Sequence, residues 1–191
     1  MIKHTSNWLQ RLSTGWTTLL TLVVFLVFSA TVLPRQATKA EESAGGGDSP
    51  DMSLTYTSDD LYRMAEAYGD SGRKAYIRAR FTFDLIFPLV YTAFLVTSIS
   101  WTFGKAFKPQ SRWQLANLAP VLGMVFDFLE NGSTSLVMAR YPAQTSVAGW
   151  LATIFTFVKW FFVGGSFVLL FIGAFLVILG WVRPKLNPTR S

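Results

Sequence analysis

Apolar residues gather in four long runs, at 15–33, 81–103, 115–138 and 147–182. Each can cross a hydrocarbon layer of about 30 Å, which takes roughly 20 helical residues. The last run has 36 residues; as one helix it would measure about 54 Å at 1.5 Å per residue. It must therefore tilt, or protrude at its N-terminal end. Trp16, Trp101, Trp113 and Trp181 stand near the ends of the runs, where an amphipathic ring prefers the membrane–water boundary. The pattern predicts an all-α fold: a polytopic membrane four-helix bundle with tails at 1–14 and 183–191.

The first run also fits a secretory signal, since Lys3 and Arg11 precede it and small residues follow in ATKAEE. Its uncharged core is longer than a usual signal core, which favours a retained span or signal anchor. The long connection 34–80 divides in two. Residues 35–52, RQATKAEESAGGGDSPDM, have too little apolar content to pack and read as a flexible linker. In TSDDLYRMAEAYG, Ser58 can cap a helix with Asp59 and Asp60 in its first turn; Leu61, Met64 and Tyr68 share one face, and Gly69 provides a stop. A short amphipathic helix on the outer surface is expected.

Composition restricts the chemistry. The chain of 191 residues is 51% hydrophobic and 15% charged and contains no cysteine, so disulfides, thiolate catalysis and Cys-based zinc sites are excluded. The single histidine, His4, precedes the first run, leaving none for an intramembrane metal site or a His-based triad. No metal and no cofactor is expected. Lysine and arginine fall unevenly: the N-terminal tail, the connection 104–114 and the C-terminal tail hold eight basic residues and no acid, whereas 34–80 holds seven basic and eight acidic ones. That asymmetry places both termini in the cytoplasm, in a plasma or bacterial inner membrane. The net charge of +6 then reports topology and contact with an anionic leaflet, not nucleic-acid binding.

Against this apolar background the buried charges stand out. Counted at 1.5 Å per residue from the outer boundary, Glu130 lies roughly 12 Å deep, Asp127 roughly 16 Å and Lys159 roughly 13 Å. Asp84 is shallower, with Arg80 four residues before it as a helical partner. Gly123, Asp127, Glu130 and Thr134 form one stripe, and Asn131 adjoins it; Lys159, Ser166, Gly173 and Gly180 recur every seven residues; Asp84, Pro88, Tyr91 and Ser98 form a third stripe. The candidate site is thus Arg80, Asp84, Tyr91, Asp127, Glu130, Asn131 and Lys159, a polar pocket in the outer half of the bundle. Pro88 has no N–H to donate to the Asp84 carbonyl and should kink the helix. That carbonyl is left for a water, a hydroxyl, a cation or a neighbouring side chain.

The segments YGDSGRKAYIRARFTFDLIFPLVY, DFLEN and FVKW resemble a family of uncharacterised four-span membrane proteins. Its pattern of G-x-x-G-R-x-x-Y, D-x-x-F-P-x-x-Y, D-x-x-E-N and a late lysine is matched by Gly69, Gly72, Arg73, Tyr76, Asp84, Phe87, Pro88, Tyr91, Asp127, Glu130, Asn131 and Lys159. More loosely, the layout is similar to the emopamil-binding sterol isomerases and sigma-type receptors. That similarity implies a lipid or sterol pocket in which acidic residues contact an amine or carbocation. No catalytic histidine is present for the isomerase chemistry.

Three functions are compatible with these residues. The first is a binding or scaffold protein whose pocket holds a small amphiphile, or whose charge pairs only join helices. The second is a lipid-modifying enzyme using a carboxylate as acid or base. The third is a proton or cation carrier, disfavoured because Lys159 repels a cation and no polar relay leads toward the cytoplasm. Membrane lipids are the expected partners, and nothing specifies a protein partner.

Overall fold

The structure, a computed structural model, describes residues 2–44, 49–50 and 53–186. Among these residues there is no strand, and every long element is an α-helix: α1 Ile2–Leu12, α2 Gly15–Thr31, α3 Leu33–Ser43, α4 Ser58–Ala67, α5 Gly69–Arg80, α6 Phe83–Ala106, α7 Ala119–Arg140 and α8 Ser146–Leu186. A 3-10 helix, Arg112–Leu118, leads into α7. Three helical stretches among the described residues are long and apolar enough to cross a membrane: Gly15–Glu42, Gly69–Ala106 and Ser146–Val182. The third predicted span, 115–138, is not one of them. Its first residues belong to the 3-10 helix, and in α7 two carboxylates, an amide and several small polar residues dilute the apolar content.

Local chemistry accounts for the ends of these helices. Thr14 caps α2 by accepting from Thr17 N, with Thr17 reciprocating, which satisfies donors that a helix start leaves free. Pro34, without an N–H, sits in the first turn of α3, the one place in a helix where proline is well tolerated. Residues 35–43, expected as flexible linker, are helical instead; alanine, glutamine, lysine and glutamate are strong helix formers, and α3 gains contacts with α2 and α5. The rest of that linker falls largely outside the described residues.

The α4 helix forms as expected, but its cap is Thr57 rather than Ser58: Thr57 Oγ1 accepts from Asp60 N, and Asp60 Oδ2 in turn accepts from Thr57 N at 2.9 Å. Nor does it simply lie on a surface. Leu61, Met64 and Ala65 are buried with Val137, Met138, Ala148 and Ala152 of α7 and α8. Gly69, at φ 59°, turns the chain into α5 through the left-handed region that glycine enters freely.

Helices α6, α7 and α8 contact one another along their lengths, whereas α2 packs chiefly on α6. Small residues set the closest approaches. A Cβ on Gly123 would come within 2.8 Å of Val163, and one on Gly173 would collide with Thr102 and Phe103. The expected seven-residue seam on α8 thus holds through Ser166 and Gly173, both buried, and ends before Gly180, which faces open space. Phe25 of α2 stacks on Phe94 of α6 at 4.8 Å between ring centroids, and Phe28 stacks on Phe83 and Phe87. The fourth apolar run is one 41-residue helix, and α4 packs beside its first turns, where Gly149 approaches Ser58.

At the opposite end, α1 packs on the 3-10 helix, a contact that sequence periodicity did not reveal. Ser6 donates to Asn117 Oδ1 at 2.8 Å, Asn117 Nδ2 donates to Ser6 O and to Ser100 Oγ, and Gln10 pairs with Gln114 at 2.6 Å. Gln114 also donates to the carbonyls of Phe103 and Phe107; the first also accepts the capping N–H of Phe107, and the second lies past the helix end, where carbonyls lack intrahelical donors.

Candidate charge cluster and cavity

All seven sequence-predicted residues meet where α5, α6, α7 and α8 converge. Lys159 Nζ lies 2.5 Å from Glu130 Oε2, with side chains only 12% and 3% exposed. Burial on that scale demands a partner for each charge, and the two helices supply one each. Glu130 Oε1 accepts from Thr156 Oγ1 at 2.7 Å, and Tyr56 OH lies 3.4 Å from it. Tyr56 precedes α4, so the long connection reaches into the cluster. Burial first, then the Glu130 carboxylate, pushes the Tyr56 hydroxyl well above its ordinary pKa. It remains a neutral donor beside the ion pair.

A second layer surrounds Asp84. Arg80 Nε is 3.1 Å from Asp84 Oδ2, and the guanidinium lies over the Tyr76 ring at 4.4 Å. The expected four-residue pair therefore forms, but not within one helix: the chain breaks at Phe81 and Thr82 between α5 and α6. Asn131 joins the parts. Its Nδ2 donates to Asp84 O and to Asp127 Oδ1, and its Oδ1 accepts from Arg80 Nη1, each at 3.4 Å. The carbonyl opened by Pro88 is thus taken by a neighbouring side chain, the simplest of the alternatives.

Asp127 lies near the depth of Lys159 but is not its ion partner. Instead Tyr91 OH donates to Asp127 Oδ2 at 3.0 Å, and the direct ion pair of Lys159 is with Glu130. The difference follows from helix geometry: residues 127 and 130 are three apart and point about 60° away from each other at 100° per residue, so one faces α6 and the other α8.

Sequence reasoning missed Tyr56 and Thr156, and it met Tyr76 only in the G-x-x-G-R-x-x-Y pattern, without placing it in the site. Thr156 stands one turn before Lys159 and could have been found from that spacing. Tyr56 arrives from 74 residues away in sequence, where no local periodicity points to it.

Beside the cluster lies a cavity of about 730 Å³, bounded by α2, α3, α5, α6, α7 and α8. Its lining mixes two kinds of side chain. Arg80, Asp84, Tyr91, Asp127 and Lys159 line it together with Phe25, Phe87, Val163 and Phe167, and Lys39, Glu42 and Arg78 are also on the boundary. The volume is within the range of small-molecule pockets. Among the described residues, no group of three or more His, Cys, Asp or Glu side chains is placed to hold a metal. No protein-family model, curated protein or solved structure matches the chain.

Proposed function

We propose that the chain is a polytopic membrane protein, a four-helix bundle of α2, α6, α7 and α8, that holds a small lipid- or sterol-like amphiphile in the cavity beside its charge cluster. One observation carries the reading: a single cavity is lined both by charged and hydroxyl-bearing side chains and by aromatic and aliphatic ones. An amphiphile needs both. Its polar group would exchange water for Tyr91, Asp127, Arg80 and Lys159, and its apolar part would lie against Phe25, Phe87 and Phe167.

The membrane setting is supported by large apolar side chains exposed around the molecule. They include Leu20 and Val27 on α2, Ile86 and Leu89 on α6, Leu129 and Leu136 on α7, and Phe161, Phe171 and Phe175 on α8. In water such a surface would drive association; in lipid it needs no cover. In the same reading α7 crosses the membrane with its polar face turned to the other helices, as intramembrane charges require. The basic tails and the 104–114 connection face the cytoplasm, and α4 and α5 lie outside, in a plasma or bacterial inner membrane. Membership in the four-span family whose motifs include Asp84, Tyr91, Asp127, Glu130, Asn131 and Lys159 belongs to the same proposal.

The test is native mass spectrometry of the protein extracted from its own membrane into nanodiscs. A retained adduct of lipid or sterol mass is expected. Ala79→Trp, which fills the cavity from its boundary, should abolish that adduct while leaving the thermal unfolding transition in place. An adduct that persists in Ala79→Trp, or none in the unaltered protein, sinks the reading.

A further inference from the structure

The α1 helix presents three different faces. Ser6 and Gln10 turn inward and bond to the 3-10 helix, and Ser6 is buried, as is Ser13 just past the helix end. Trp8 and Leu12, one turn apart, are 55% and 50% exposed. Lys3, Asn7 and Arg11, at spacings of four, form an exposed polar ridge on another side. A helix in water has no use for the second face, and one buried in protein has none for the third. Only a boundary between an apolar and a polar medium suits both.

The neighbouring surface extends each face. Trp16, Leu19 and Leu20 are exposed on the first turns of α2, and Trp113 is exposed on the 3-10 helix. Lys108 and Arg112 are exposed on the connection that α1 grips. Lys105 lies over the Trp101 ring at 3.9 Å and within 5.9 Å of the Trp181 ring, which draws the ends of α6 and α8 into the same belt. Neither α1 nor residues 104–118 contain an acid.

We infer that α1 is an in-plane interfacial helix that gathers anionic phospholipid headgroups. Trp8 and Leu12 enter the acyl boundary, while Lys3 and Arg11, with Lys108 and Arg112, meet the phosphates. Charge complementarity selects the occupant. A basic, acid-free collar around an apolar strip fits an anionic leaflet, where each lysine or arginine adds to the attraction. The hydrogen bonds of Ser6 and Gln10 hold the helix at that level instead of leaving it a loose tail. The inference rests on the membrane setting proposed above and not on the cavity.

The chain has no cysteine, so single-cysteine variants of the full-length protein can carry a fluorescent label. Leu12→Cys tests α1, and Val24→Cys on α2 tests the membrane setting itself. Both go into vesicles of equal parts phosphatidylcholine and phosphatidylglycerol, with one lipid or the other brominated as quencher. At Leu12→Cys, brominated phosphatidylglycerol should quench more than brominated phosphatidylcholine. Changing Lys3 and Arg11 to glutamine should lower that preference about fivefold for each charge removed, with unfolding temperature unchanged. Quenching at Val24→Cys but none at Leu12→Cys overturns the inference and leaves the membrane setting standing. Absence at both positions removes the membrane setting as well. Equal quenching by the two lipids, or quenching insensitive to the glutamine substitutions, refutes selection for anionic headgroups; a label at Leu12→Cys that becomes lipid-exposed only on dilution assigns the face to a second copy of the chain.

Discussion

At the scale of single residues, the Glu130–Lys159 pair decides most. Exposed ion pairs contribute about 0.2–1 kcal/mol, and polar contacts between membrane helices average about 0.6 kcal/mol. This pair belongs to neither case, because both side chains are almost fully enclosed and the carboxylate also accepts from Thr156. Removing one partner leaves a bare charge, a change that costs about 3–5 kcal/mol in buried pairs. Lys159→Met and Glu130→Gln are therefore each expected to destabilise strongly, with the lysine change costing about 3 kcal/mol or more. The double variant should cost much less than the two added together. Reversible unfolding in mixed detergent micelles measures all three; additive losses would show that the two groups act separately. Asn131 has a different role, since it ties the open Asp84 carbonyl to Asp127 and Arg80. Replacing Asn131 by leucine takes one hydrogen bond from each of three polar partners, leaving Arg80 its ion pair with Asp84 and Asp127 its bond from Tyr91, while replacing Asp84 removes a charge but leaves its carbonyl served.

At the scale of helices, the glycines give a graded test. Gly173→Ala forces a methyl group into Thr102 and Phe103, and overpacking of that kind costs about 1–3 kcal/mol. Gly180→Ala meets nothing within 4 Å and should stabilise by up to about 1 kcal/mol, the helical advantage of alanine over glycine. The opposite signs, read from paired melting curves, separate close packing from propensity. The α4 cap adds a dependence on pH. The backbone N–H of Thr57, then its hydroxyl, holds the Asp60 carboxyl below its usual pKa. A carboxylate depressed on folding contributes stability above its unfolded pKa and loses it as pH falls through the folded value. Amide exchange in the first turn of α4 should accelerate, relative to its intrinsic rate, below about pH 4, and Asp60→Asn should remove that step.

The helices themselves were legible wherever hydrophobicity was sustained: α2, α6 and α8 lie over the runs at 15–33, 81–103 and 147–182. The cluster was legible because a charge in an apolar run is costly and therefore conspicuous. What escaped was set by contacts remote in sequence. The α1 helix is stabilised by hydrogen bonds more than a hundred residues apart, α3 replaces expected linker through propensity and docking, and Tyr56 enters the cluster from a loop. The choice of Asp127 for Tyr91 over Lys159 needed helix orientations that a stripe of positions does not contain.

At the scale of the molecule, two ends differ in chemistry. One carries α4, α5 and the charge cluster; the other carries α1, the 3-10 helix and a belt of lysine, arginine and tryptophan. The proposed topology assigns them to opposite sides of the membrane. Leu54→Cys and Gln144→Cys, both exposed at the first end, should react with an impermeant maleimide added to intact cells, and Lys108→Cys should react only after permeabilisation. The reverse pattern would invert the protein in the membrane, and equal reactivity of all three would place both ends on one side.

Helix α8 runs unbroken for 41 residues and is pinned at two levels, by the ion pair at Lys159 and by the close seating of Gly173 against α6. Those levels are 14 residues apart along one rod, about 21 Å at the helical rise. A piston stroke along its axis would have to break both at once. A pivot about either level must carry the other sideways out of its contact, so two separated fixings hold the rod against tilting as well as sliding.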